Sequence, residues 1–175
     1  MVGIPFVVRT ADVDEGKREG ERAREYLERV AAAKLEGVRG AGAGAGGERV
    51  LVADTIVVAP GGEVLGKPAD DVDALRMLYV LAGVTHEVWT RFLLAEGEGA
   101  PLHAETVTTR VRMRSVSQEE AMEYVATGEG KDKAGAYGVQ GRAAAFIDRI
   151  EGSYTSVVGL PLSEVVAAMR ALGWW

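Results

Sequence analysis

Cysteine is absent from these 175 residues and histidine occurs only twice. Without thiols there is no disulfide, no thiolate nucleophile and no thiolate metal site. Any metal ion must then be held by oxygen, or by the imidazoles of His86 and His103. Basic charge is also short: 20 lysines and arginines against 26 acidic residues give a net charge of -6. That balance argues against broad nucleic-acid binding, whose affinity comes from basic groups neutralising phosphates. A small anionic substrate stays open, because it needs a local cationic pocket rather than a basic protein. No apolar run approaches the roughly 20 residues of a membrane span. Residues 1–10 lack the basic start and long apolar stretch of a signal peptide. A cytoplasmic location is the default expectation.

What is present is an ordinary globular composition, 47% hydrophobic and 26% charged. The expected organisation is a single domain over residues 1–175. It is interrupted at 37–47 by the stretch GVRGAGAGAGG, whose glycines have no fixed spacing before a helix. That stretch suggests a flexible connector rather than a phosphate loop.

Periodicity predicts the elements. Ile4–Val8 is an apolar run suited to a buried strand, and the acidic Asp12, Asp14 and Glu15 follow. From Lys17 to Glu36, Ala23, Tyr26, Leu27, Val30 and Ala31 recur at helical spacing, with Lys34 projecting from the edge of that face. Val50–Ala59 suits a central strand, Pro60–Gly62 a turn and Glu63–Leu65 a short return strand. Asp70 can cap a helix that Gly83 stops, with Leu75, Leu78 and Leu81 inward. Two strands are expected at Glu87–Ala95 and Ala104–Met113, the second setting Val107, Thr109, Val111 and Met113 against a solvated face of Arg110, Arg112 and Arg114. Ser117 and Glu120 form a capping box for a helix to about Thr127. A strand at Ala143–Ile150, a connector at Gly152–Gly159 and a helix at Pro161–Leu172 complete the reading. Interleaved strands and helices indicate an α/β fold, and the hairpins argue against a purely parallel sheet.

Asp54 is the most informative residue, since it stands inside an apolar strand where a lone carboxylate is costly. It either binds a metal, pairs or acts chemically, or it is a strand-end aspartate bonded to neighbouring backbone. With Glu15 it could form an oxygen-only metal site, unless Glu15 merely favours the start of the next helix. Lys67, between Gly66 and Pro68, is either a phosphate contact or a surface lysine. The segment Asp132–Gly141, with Lys133 at its start, mixes charges, three glycines and Gln140 without period. It reads as a loop of demanding geometry, in which Gln140 could pair with a base edge as donor and acceptor. His86 reads as structural, and Trp174 and Trp175 as packing or interface.

The strings ADTIVV (53–58), GKP (66–68), THEVWT (85–90), DKAGAYGVQG (132–141) and SYTSVVGLPL (153–162) resemble the Maf family in order and spacing, from about Gly3 to the end. The resemblance implies a fold similar to inosine-triphosphate pyrophosphatases, a mixed twisted sheet flanked by helices with a cleft between two lobes. It implies a homodimer and a divalent-metal-dependent (Mg2+ or Mn2+) cleavage of nucleoside triphosphates to monophosphate and pyrophosphate. Carried onto this chain, it makes Asp54 the proton acceptor and, with Glu15, a metal ligand. Lys34 and Lys67 match phosphate-contacting lysines, Asp132 and Lys133 the loop beside them, and Thr55 and Gln140 positions that select the base. Gln140 after DKAGAYGV is similar to the dTTP/UTP branch. Family members open with a strand and an S-x-S-P-R-R loop that holds phosphate, whereas this chain starts after it. The resemblance therefore implies either an earlier start or a silent nucleotide-binding relative acting in septum formation; specificity for CTP or modified pyrimidine nucleotides is the remaining alternative.

Overall fold

The computed structural model describes residues 3–175. In chain order it has α1 (Ala23–Gly40), β1 (Arg49–Val58), β2 (Val64–Leu65), α2 (Asp71–Leu81), β3 (Thr85–Glu96), β4 (His103–Met113), α3 (Gln118–Ala126), β5 (Ile147–Glu151), α4 (Tyr154–Val158) and α5 (Leu162–Ala171). The strands form one sheet in the order β2-β1-β3-β4-β5. Every pairing is antiparallel, where a mixed sheet was expected.

Side chains of a strand alternate between faces, and β1 uses both. Val50, Val52, Ile56 and Val58 pack against Leu27, Val30, Ala31, Leu35 and Val38 of α1. Val57, on the other face, joins the cluster built with Leu78 and Leu81 of α2, Tyr124 and Val125 of α3, and the loop residues Tyr137 and Val139. Phe92 and Leu94 of β3 complete that side against Val165 and Ala168 of α5. The predicted caps form: Ser117 and Glu120 bond each other's backbone N–H, and Asp70 accepts from the Asp73 N–H at 2.8 Å.

One topological detail positions the site. β3 pairs with β1 from Arg49 to Val58, but β2 pairs only with Val57 and Val58. The other edge of β1, from Arg49 to Ile56, has no strand partner among the described residues.

Four elements differ from the sequence reading. Ile4–Val8 is not a strand: Phe6, Val7 and Val8 are 79%, 84% and 74% exposed, and the run pairs with no strand even though the edge of β1 from Arg49 to Ile56 is open. α1 starts at Ala23 rather than Lys17, since Gly20 takes a left-handed φ of 73° that a helix cannot hold. It then runs to Gly40, through the first four residues of the expected connector. Val38 is buried there, and Gly37 lets the chain at Ala11 cross within the space of a methyl group, as a Cβ on Gly37 would lie 2.7 Å from that of Ala11. Residues 41–47 remain as the turn. The expected strand Ala143–Ile150 is split, with a 3-10 turn over Arg142–Phe146 before β5, because the buried Ala143 and Phe146 are spaced for a turn of helix. The expected connector at 152–159 contains α4, capped by the Ser153 hydroxyl accepting from the Ser156 N–H at 3.3 Å.

His86 is structural, as its sequence setting suggests. It is buried, with Nε2 2.8 Å from the Tyr137 hydroxyl and the two rings edge-on. Burial pushes its pKa from 6.5 down to about 4. The folded state thus holds a neutral ring while the unfolded chain takes up a proton below 6.5. The stability this contributes is complete above pH 6.5, falls as pH is lowered and is lost below about 4, a loss of about 3 kcal/mol. Urea unfolding from pH 7 to 4 should show that decline, and His86→Gln should flatten it.

Candidate active site

Asp54 lies on the α1 face of β1, where the apolar surroundings leave its side chain 11% exposed. Its compensation comes from α1, which carries Lys34 toward the strand. Lys34 Nζ lies 2.5 Å from Asp54 Oδ1 and 2.9 Å from Glu15 Oε1, and Lys67, following β2, reaches Glu15 Oε2 at 3.1 Å. Two carboxylates and two lysines therefore alternate across a few ångströms. Burial pushes the Asp54 carboxyl above its ordinary value, outweighing the Lys34 hydrogen bond that draws it down. Glu15, more exposed, is held below the usual carboxylate range by its Lys34 hydrogen bond, against some desolvation, with Lys67 adding to it. Lys34 is raised, its two carboxylate partners prevailing over burial.

This cluster forms one wall of a cleft of about 490 Å³. The eight residues to which the resemblance gives roles all line it: Glu15, Lys34, Asp54, Thr55, Lys67, Asp132, Lys133 and Gln140; His86 and His103 do not. The eight come from five separate segments. Asp54 and Thr55 point to opposite faces of β1, yet both reach the cleft because it opens across the unpaired edge of that strand. Asp132 and Lys133 pair with each other at 2.9 Å near the mouth. Beyond them Gly135 docks the loop on β1: its N–H donates to Gly66 O at 3.0 Å, its φ is 71°, and a Cβ there would press on Val57 at 3.1 Å.

Sequence reasoning passed over several residues of this site. Tyr26 lines the cleft and donates its hydroxyl to Glu15 O at 2.8 Å, fixing the segment that carries Glu15. Glu129 was not singled out. Its Oε1 accepts from the Tyr124 hydroxyl at 3.1 Å and its Oε2 from the Arg142 N–H at 3.0 Å, while Tyr124 Oη accepts from the Gly138 N–H at 3.1 Å. Gln140 thus sits between two pinned backbone groups. Gly141 makes room for the clamp, since a Cβ on it would meet Glu129 Oε1 at 2.2 Å. An acidic side chain after a helix-ending Gly128 was the available signal, but its partners lie 13 residues on at Arg142.

A charged cleft at the open edge of an antiparallel sheet, with helices on both faces, defines a small α/β protein with a site of paired carboxylates and lysines. The family model described as Maf-like protein matches residues 1–172, and the chain belongs to the Maf family. It is similar to a dTTP/UTP pyrophosphatase of Geotalea uraniireducens (strain Rf4), with 47% identity over 98% of this chain and 86% of that protein. Similar proteins of the same description occur in Symbiobacterium thermophilum (48% identity; 99% and 87%) and Anaeromyxobacter sp. strain Fw109-5 (45%; 99% and 82%).

Replacing Glu129 by Gln should set an amide donor against the Tyr124 hydroxyl or the Arg142 N–H. Hydrogen exchange at Gly138 and Arg142 is expected to quicken by about tenfold, from a loss near 1.4 kcal/mol, with exchange in β3 unchanged.

Proposed function

We propose that this chain hydrolyses dTTP and UTP to the nucleoside monophosphate and pyrophosphate. One observation carries the reading: eight residues from five segments converge on a cleft in which a buried carboxylate is paired with a lysine. In this reading Asp54 accepts a proton from water, and the water oxygen bonds to the α-phosphorus as the bond to the β-phosphate oxygen breaks. The raised pKa of Asp54 suits a proton acceptor, and its Lys34 partner works against that rise by favouring the carboxylate. Lys34 and Lys67 offset phosphate charge, with Lys133 at the mouth beside Asp132. Thr55 and Gln140 face the base.

A divalent cation fits the donor set. Glu15 and Asp54 hold their carboxylates on either side of the Lys34 ammonium, at 2.9 and 2.5 Å, and Mg2+ accepts one or two carboxylates when water and phosphate supply the rest. Those two residues would hold it, and bound there it would neutralise phosphate oxygens. No group of three or more His, Cys, Asp or Glu able to hold a metal occurs among the described residues, so the substrate itself would complete the coordination. No helix among them is long and apolar enough to cross a membrane. The cytoplasmic location and the homodimer belong to the same reading.

The test is pyrophosphate release from a panel of nucleoside triphosphates with Mg2+ or Mn2+. Wild type should act on dTTP and UTP, and Asp54→Asn should lose about 10²–10⁴-fold in kcat while keeping its melting temperature. Release that survives in a folded Asp54→Asn would remove Asp54 from the chemistry. Lys67→Met should raise KM more than it lowers kcat.

A further inference from the structure

The direction of one buried hydrogen-bond chain bears on which base the cleft accepts. Thr90 of β3 stands directly opposite Thr55 of β1 in the register and is fully buried. Its hydroxyl donates to the Ser156 carbonyl oxygen of α4 at 2.7 Å. A carbonyl can only accept, so the single proton of Thr90 is committed there. Thr55 Oγ1 lies 2.8 Å from Thr90 Oγ1, and in that pair Thr55 must then be the donor. Both protons run inward, toward α4. What Thr55 shows the cleft is an oxygen with lone pairs only. The space in front of it is kept open by Gly159, where a Cβ would sit 3.8 Å from Thr55 Oγ1.

We propose that Thr90 is a positioning residue that fixes Thr55 as a hydrogen-bond acceptor, so that the cleft selects pyrimidines carrying an N3–H and rejects cytosine. Uracil and thymine present N3–H between two carbonyls. Cytosine presents a bare N3 acceptor, which would face the Thr55 oxygen with no proton between them. A site built to pair with one group discriminates strongly against an analogue that lacks it. The inference rests on the reading above that Thr55 faces the base.

Thr90→Val keeps the shape of the buried side chain and removes the acceptor for the Thr55 proton, freeing that hydroxyl to donate. Binding of UMP and of CMP, by titration calorimetry, reads the effect without requiring turnover. kcat/KM for UTP and CTP reads it in the reaction. Wild type should favour the uracil nucleotide in both. Thr90→Val should reduce that preference by about tenfold or more, and Thr90→Ser, which restores the hydroxyl, should restore it. Thr109→Val is the structural control. Thr109 also ties α4 to the sheet, donating to Ser153 O at 3.2 Å and accepting from its N–H at 3.1 Å, but has no link to Thr55. It should lower the melting temperature and leave the base preference alone. A folded Thr90→Val with unchanged preference, or with equal losses on both bases, overturns the role of Thr90 provided that Thr55→Val does abolish the preference. If Thr55→Val leaves the preference intact, the failure lies one step earlier, in the placement of the base beside Thr55.

Discussion

The ammonium of Lys34 between Asp54 and Glu15 is the contact on which the cleft depends. A carboxylate set into an apolar strand is expensive unless a charge and hydrogen bonds answer it, and here α1 delivers the answer. The helix is fixed to β1 by Leu27, Val30, Ala31, Leu35 and Val38, so the apolar packing sets where Lys34 can reach. Glu15 then holds both Lys34 and Lys67, which ties the segment before α1 and the hairpin after β2 to the same point. The result is a carboxyl pushed up by burial and drawn down by its Lys34 partner, the balance that the proposed proton acceptor would need.

The open edge of β1 is the second constraint. In a fully paired strand, consecutive side chains such as Asp54 and Thr55 serve opposite layers and never meet one ligand. Because β2 ends its pairing at Val57, a molecule lying along the edge can touch both layers. The α1 side of the cleft gathers charge, and the α4 side gathers hydroxyls, glycines and the amide of Gln140. In the proposed reading, phosphate chemistry and base recognition are separated by a single strand that the nucleotide would span.

The loop 132–141 could not hold its shape alone. Its glycines allow close approach and remove stiffness, so the rigidity comes from outside. Gly135 rests on Val57 and Gly66, Tyr137 meets His86, and the Tyr124–Glu129 pair grips Gly138 and Arg142. Each anchor is borne by α3, β3 or the β1–β2 hairpin, elements whose burial makes them firm.

The sequence by itself determined most elements and named eight of the residues that line the cleft. The apolar run Val50–Ala59 located a strand, though one with an open edge rather than the centre of the sheet, and marked Asp54 as out of place in it. Ser117 with Glu120, and Asp70 before Asp73, wrote the helix starts in local hydrogen bonds. The DKAGAYGVQG string declared a loop with a purpose. These are local properties, carried by neighbours in the chain. What only the tertiary structure decided was every relation across layers: that Ile4–Val8, apolar as it is, finds no strand to pair with; that α1 continues to Gly40; that Glu129 turns to Arg142; and that Thr55 sends its proton to Thr90. A hydrogen bond between residues 35 positions apart leaves no spacing in the sequence, because the fold and not the chain sets the distance between them.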